Sequence, residues 1–366
     1  MKKNNRKPLS VQVDMFGRKV SSARLKKYSF AKLVRKKPSR NRKRSREIRV
    51  IAPAHIDFYK PKKFTQTFDF IRKVQDSIKQ AYNQNKAVKI CFRNTTYISA
   101  AAAINLFAET DRSVSKFKNV KFSVVYPPKT SILNPTKDTH PIVDLVLNRL
   151  GFYELLKIRR RPLREFRNVK CWKHASGSVV EGETTGKLLA ELDGFAIDTS
   201  KLYRSCVEAL ANAVEHAYSP SISSDADMSD KRWWMFMAIL DDKLTLMICD
   251  LGHGIPKTLP KTQGKEQLDK LLAMFGGSVN NDCALIQAAT LVKKTRTEKD
   301  YRGKGGKDLT SLVDSIPNSR LTIFSRTGVY TYKGKGKGTI GGKAYNNRSS
   351  INGTIVEWSI PLGISE

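Results

Sequence analysis

Apolar positions recur at two periods along this chain, near 3.6 and near 2, in blocks that follow one another. Phe64, Phe68, Ile71, Val74, Ile78 and Ala81 fall near helical spacing and predict an amphipathic helix from Phe64 to Tyr82. Ala87 to Phe92 reads as a strand, Ser99 to Glu109 as an alanine-rich helix with Ser99 as its cap, and Val120 to Val125 as another strand. Pro141 to Leu156 reads as a helix broken at Gly151. Alternating strands and helices predict a small α/β unit. Residues 159–200, with Arg159-Arg-Arg-Pro162 and a Gly/Ser/Thr-rich stretch, read as a linker or a short β element. Beyond them, Leu202, Cys206, Leu210, Ala213, Val214 and Ala217 form one helical stripe over 200–217. Lys243 to Cys249 is a buried strand, Asp308 to Ile316 a helix and Gly353 to Pro361 a closing strand. The expected fold class is α/β.

The polar positions of the second half carry the chemistry. Ser205, Glu208, Asn212, Glu215 and His216 fall opposite the apolar stripe. Glu208 and Asn212 are four residues apart, so their side chains lie one above the other on a helix. A carboxylate beside an amide oxygen can order a water and hold a hard cation, and magnesium takes few protein ligands. Alone, this spacing is more often that of a solvated helix face. Asp250 stands at the end of an apolar strand with Gly252 and Gly254 behind it, where α/β folds place ligand contacts. It can accept a hydrogen bond from an amine such as the N6 of adenine. Tyr301-Arg-Gly-Lys-Gly-Gly-Lys307 offers free backbone amides and two lysines to phosphate at the start of a helix. It is not a P-loop, because the Gly-x4-Gly-Lys-Ser/Thr pattern is missing.

Taken in order, these segments resemble the GHKL ATPase family, which includes gyrase-type topoisomerases, heat-shock chaperone ATPases, histidine kinases and mismatch-repair ATPases. Glu208, Asn212 and His216 match its N-box, and Glu208 to Tyr218 looks most like the anti-sigma-factor serine kinase branch. Asp250, Gly252 and Gly254 match its Asp-x-Gly-x-Gly box, Gly303 and Gly305 its glycine-rich box, and Gly353-Thr354 its last box. The resemblance implies a GHKL-type α/β sandwich with a mixed sheet over residues 185–366, with ATP and Mg²⁺ as cofactors. Glu208 would be the general base and Asn212 the Mg²⁺ ligand. Asp250 would bind adenine, with Thr354 through water. His216, Gly252, Gly254, Gly303, Lys304, Gly305, Gly306 and Lys307 would complete the nucleotide site, and residues 257–307 would form the lid. The glycine box departs from the family in carrying lysines where many members have hydrophobic residues. Residues 59–158 are similar, by pattern alone, to a STAS domain. There Ser99 falls on the usual Asp and Ala100 on the phosphorylated Ser, which points to a structural role. Of the five histidines, His55, His140 and His174 lie outside the boxes; His140 precedes a proline, His55 and His174 fall in expected loops, and none sits on a helix before an acid, so histidine autophosphorylation is set aside.

Charge changes the picture of partners. The net charge is +34, and half of it comes from residues 1–49, which hold 19 Lys and Arg against Asp14 and Glu47. Residues 1–58 are therefore expected to be a largely disordered basic arm, with 159–184 a linker between the two domains. Arg35, Lys36, Lys37, Arg40, Arg42, Lys43 and Arg44 would contact phosphate without reading sequence. Nucleic acid or a ribonucleoprotein is the expected partner, with a protein partner besides and a homodimer as a family habit. The five cysteines lack metal spacing, and Cys206 and Cys249 read as packing residues. No apolar run reaches the ~18 residues of a membrane span, so no membrane partner is expected. The expected setting is the bacterial cytoplasm, or the nucleus or an organelle in a eukaryote.

Three functions follow. The first is a slow ATPase whose nucleotide state controls association with a nucleic-acid assembly. The second is an anti-sigma-type serine/threonine kinase acting on a separate protein, and the third is a scaffold that ATP merely stabilises.

Overall fold

The computed structural model describes residues 46–128, 142–162, 169–180, 182–192, 195, 197–219, 222, 231–240, 242–292, 306–334 and 342–362. The chain divides into two units between Arg46 and Glu47, and the described elements lie in the second.

The chain order begins with β1 (Glu47–Ile51), α1 (Pro61–Gln84), β3 (Ala87–Cys91), α2 (Ala100–Lys116) and β5 (Lys121–Val125), with the short strands β2 (His55–Ile56) and β4 (Tyr97–Ile98) between them. β1, β3 and β5 pair in parallel, and β2 pairs with β4. Each parallel pair needs a crossover, and α1 and α2 supply it. α1 buries Phe64, Phe70, Ile71, Val74, Ile78 and Ala81, much of the predicted stripe, and ends where Asn85 takes a left-handed conformation (φ 47°). α3 (Ile142–Arg149) and α4 (Phe152–Leu155) are separated at Gly151, at φ 79°, as the break at that glycine predicts.

Two expectations change here. Residues 47–58, given to the basic arm, hold β1 and β2. Val50 is buried against β3, and the arginines around it mask the alternation when charge is averaged over a longer window. Ser99 stands at the N-cap of α2 but makes no cap bond. Its hydroxyl instead accepts the Phe58 N–H at 3.3 Å, tying β4 to the chain that enters α1.

The C-terminal part is built on seven strands: β6 (Val169–Gly177), β7 (Trp233–Leu240), β8 (Lys243–Asp250), β9 (Arg320–Ser325), β10 (Gly328–Lys333), β11 (Lys343–Asn346) and β12 (Thr354–Pro361). Their order is β11-β10-β9-β12-β8-β7-β6, with every neighbouring pair antiparallel. The expected mixed sheet is thus an antiparallel one. Tight turns at Asp242 and Arg326, both at positive φ, make hairpins of β7–β8 and β9–β10, and β12 runs antiparallel to both its neighbours. β6 falls inside the span expected to be a linker and forms the sheet edge, so the β alternative held there. His55 and His174 lie in strands rather than loops.

Both faces of this sheet are buried. Trp233, Met235, Met237 and Ile239 point into a core shared with the C-terminal helices. Trp234, Phe236 and Ala238 point into a core shared with α1 and α2. Period-2 alternation carries every second residue to each face. The two expected domains therefore share one continuous core. Among the described residues, no helix is long and apolar enough to cross a membrane.

Candidate functional site

After α5 (Gly182–Leu189), α6 (Thr199–Ala211) packs one face on the sheet through Leu202, Cys206 and Leu210, all fully buried. The Asp198 carboxylate caps it by accepting the Lys201 N–H at 3.0 Å. The helix predicted over 200–217 does not stay α-helical. Asn212–His216 is a π turn, closed by the Ala217 N–H on the Asn212 carbonyl at 3.0 Å. Such turns widen a helix by one residue and recur at functional sites.

Glu208 and Asn212 meet as their spacing predicts: the Asn212 side-chain amide donates to Glu208 Oε1 at 3.2 Å. Glu208 is buried, and burial is the main cause that raises its carboxyl above the usual range. Asp308 and Glu215 add to that rise, and the Asn212 bond opposes it.

Asp250 ends β8 with its carboxyl buried. Burial pushes the group up to about 7, against the backbone N–H donors of Gly252 and Thr354. The Gly252 bond to Oδ1 is 2.9 Å long. The loop behind Asp250 abuts the end of the π turn, where the His253 N–H donates to the Ala217 carbonyl at 2.7 Å. A Cβ on Gly252 would lie 2.2 Å from that carbonyl oxygen. Gly252 is therefore required by helix–loop contact, and it does not line the cavity that its neighbours enclose. Gly254, at φ 82°, does line it, and Ser325 and the Gly353 carbonyl leave its backbone no room for a side chain.

That cavity has a volume of about 290 Å³ and gathers residues from Glu208 to Val356. Glu208, Asn212 and His216 come from α6 and its π turn, Asp250 from β8, Gly306 from the start of α10 (Gly306–Ser315), and Thr354 and Val356 from β12. Thr354 is held in place by its hydroxyl contact to Ser325 Oγ at 2.9 Å. Ile248, Val356 and Leu309 supply apolar wall. The remaining wall comes from α7 (Ile255–Thr262) and α9 (Asp282–Leu291), which flank α8 (Lys265–Ala273) in the segment expected to be the lid. From α7 come Ile255, Thr258, Leu259, Lys261 and Thr262.

Lys261 and Thr258 are site residues that sequence reasoning missed. Their signal was helical spacing from Ile255 and Leu259, legible only once α7 was known to face Asp250. Lys307 opens α10 but is exposed and outside the lining. Gly303, Lys304 and Gly305 lie outside the described residues, as do Arg35, Lys36, Lys37, Arg40, Arg42, Lys43 and Arg44.

The residues suit an adenine nucleotide. A buried carboxyl at one end of an apolar cavity calls for a hydrogen-bond donor such as an exocyclic amine. The carboxylate–amide pair of Glu208 and Asn212 in the same lining suits magnesium. Among the described residues no group of three His, Cys, Asp or Glu could hold a metal by itself, so a cation here would need phosphate oxygens to complete its shell. No protein-family model matches this chain, and no curated protein matches it.

Proposed function

We propose that the chain is an ATP- and Mg²⁺-binding regulatory protein of the GHKL type. The observation that carries this reading is the convergence of Glu208, Asn212, Asp250, Gly306 and Thr354 on one cavity. Those residues were drawn from four separate motifs for a single ligand. Asp250 accepts from the adenine amine, and Asn212 holds the cation with the phosphates. Glu208, its basicity raised by burial, takes the proton of the attacking water. The nucleotide supplies a phosphoanhydride whose hydrolysis resets the protein; α7 and α9 close over it and α6 reads its presence. The basic arm, with its 19 Lys and Arg in residues 1–49, would grip nucleic acid through phosphate. ATP closure would then change that assembly's hold on the chain. The STAS-like unit serves as a fixed support of the sheet, since Ser99 is buried and Ala100 stands at the acceptor position.

Incubation of the full chain with γ-labelled ATP and Mg²⁺ tests this. Release of free phosphate, lost in Glu208→Ala, is the expected result. Label on a protein partner would place the chain with the anti-sigma-type kinases instead. ATP uptake with neither product would leave only the scaffold reading.

A further inference from the structure

A second cavity, of about 500 Å³, lies on the opposite face of the seven-stranded sheet, between that face and the N-terminal α/β unit. Glu357 of β12 lines it. The side chain is 6 % exposed, and its carboxylate takes one hydrogen bond, through Oε2 from the Tyr59 hydroxyl. Oε1 has no hydrogen-bond partner among the described residues. A carboxylate oxygen without a partner, on a buried side chain that lines a cavity, is available to a donor there.

Three cations share the lining, Lys60, Lys243 and Arg320, none in an ion pair among the described residues. Lys243 and Arg320 act on Glu357 only through their field. The other acid of the lining, Asp57, is taken up locally by the Tyr59 N–H at 2.9 Å. Tyr97, 44 % exposed, offers a ring at the rim. The cavity thus has an anion-attracting mouth, a deeper acceptor and an aromatic wall.

Those three features narrow the ligand. Inorganic phosphate would leave Glu357 unserved. A neutral sugar would leave the cations unserved, and a divalent metal would be repelled by them. We propose that this cavity binds a nucleoside monophosphate unit, with its phosphate between Lys243, Arg320 and Lys60, an amino or hydroxyl group donating to Glu357, and its ring against Tyr97. The unit can be a free nucleotide or the end of a nucleic-acid strand. This site is separate from the first cavity and does not depend on ATP binding there, although β12 supplies residues to both.

Equilibrium dialysis of the full chain tests it, using UMP, CMP, GMP, a 5′-phosphorylated oligonucleotide and inorganic phosphate, each with and without excess ATP. Saturable uptake that ATP does not displace is expected. It should weaken about tenfold, or 1.4 kcal/mol, in Lys243→Ala/Arg320→Ala, whose exposed positions spare the fold. Glu357→Gln should weaken it as well. Tighter uptake of the oligonucleotide than of the monomers assigns the source to a strand, and the reverse order assigns it to free nucleotide. Absence of saturable uptake, displacement by ATP, equal uptake by the double variant, or equal affinity for inorganic phosphate would each overturn the assignment.

Discussion

Burial lifts the Asp250 carboxyl to about 7 against two backbone donors, so the folded chain holds a proton there that the unfolded chain releases near pH 4. The sign follows from linkage. Stability from this group is greatest below about pH 4 and is lost as pH rises toward 7. In urea melts the difference between parent and Asp250→Asn should therefore shift against the parent across that interval; a difference independent of pH would contradict the buried, protonated state. An adenine amine favours the ionised carboxyl, so ATP uptake near pH 6.5 should release protons, read as a binding heat that varies with buffer ionisation. Glu208 has a separate test. Glu208→Ala should lower turnover by about 10²-fold or more while ATP affinity stays within about threefold, and equal turnover would remove its role as base. These two acids were legible because spacing and strand position depend only on local geometry. Lys261 was not, because its orientation depends on how α7 meets β8. The π turn was hidden too, since the stripe through Ala217 reads as an unbroken α-helix.

At the scale of elements, the antiparallel sheet and its two buried faces set the site. The run from Trp233 to Leu240 is apolar at every position, but hydropathy alone does not tell a strand covered on both faces from one in a parallel sheet. β1 escaped for a different reason: its two inward residues sit among arginines at the end of a basic segment. Strand β12 joins the Gly353-Thr354 segment to the Asp-x-Gly-x-Gly segment by pairing Thr354 with Asp250, and Gly353 keeps that junction tight. A Cβ there would lie 2.1 Å from the Asp250 carbonyl. The helix–loop junction is equally close at Gly252. Gly252→Ala should cost about 1–3 kcal/mol, measured by urea denaturation, and should weaken ATP binding through displacement of Asp250. Unchanged stability would mean the loop stands farther from Ala217 than described.

Across the whole molecule, helix α2 ties the N-terminal unit to the ends of the strands that carry the site. Glu109 is buried and accepts from Gln75 and Arg112, both at 2.6 Å, and from Asn352 at 2.8 Å. Arg112 also reaches the Leu251 carbonyl at 3.4 Å, beside Asp250. Asp111 accepts from Arg232 and from the Trp234 indole, each at 2.9 Å. With Trp234, Phe236, Met247 and Ile355 in the shared core, the sheet cannot be freed without exposing a large apolar face. Residues 47–366 should therefore unfold in one transition, and residues 185–366 expressed alone should fail to reach a native-like state. Two separate transitions, with a well-folded C-terminal piece, would contradict the shared core. The sequence divided these parts because Arg159-Arg-Arg-Pro162 and the Gly/Ser/Thr-rich stretch after it read as a linker. Only the inward-facing residues of β7 and β8 reveal the joint.

The most direct measurement is a calorimetric titration of ATP with Mg²⁺ into the folded full chain and into Asp250→Asn. Uptake at one site, about tenfold or more weaker in the variant, is the predicted result. A folded parent that takes up no ATP, or that binds it as tightly without the Asp250 carboxyl, would contradict the placement of an adenine nucleotide between α6 and the end of β8.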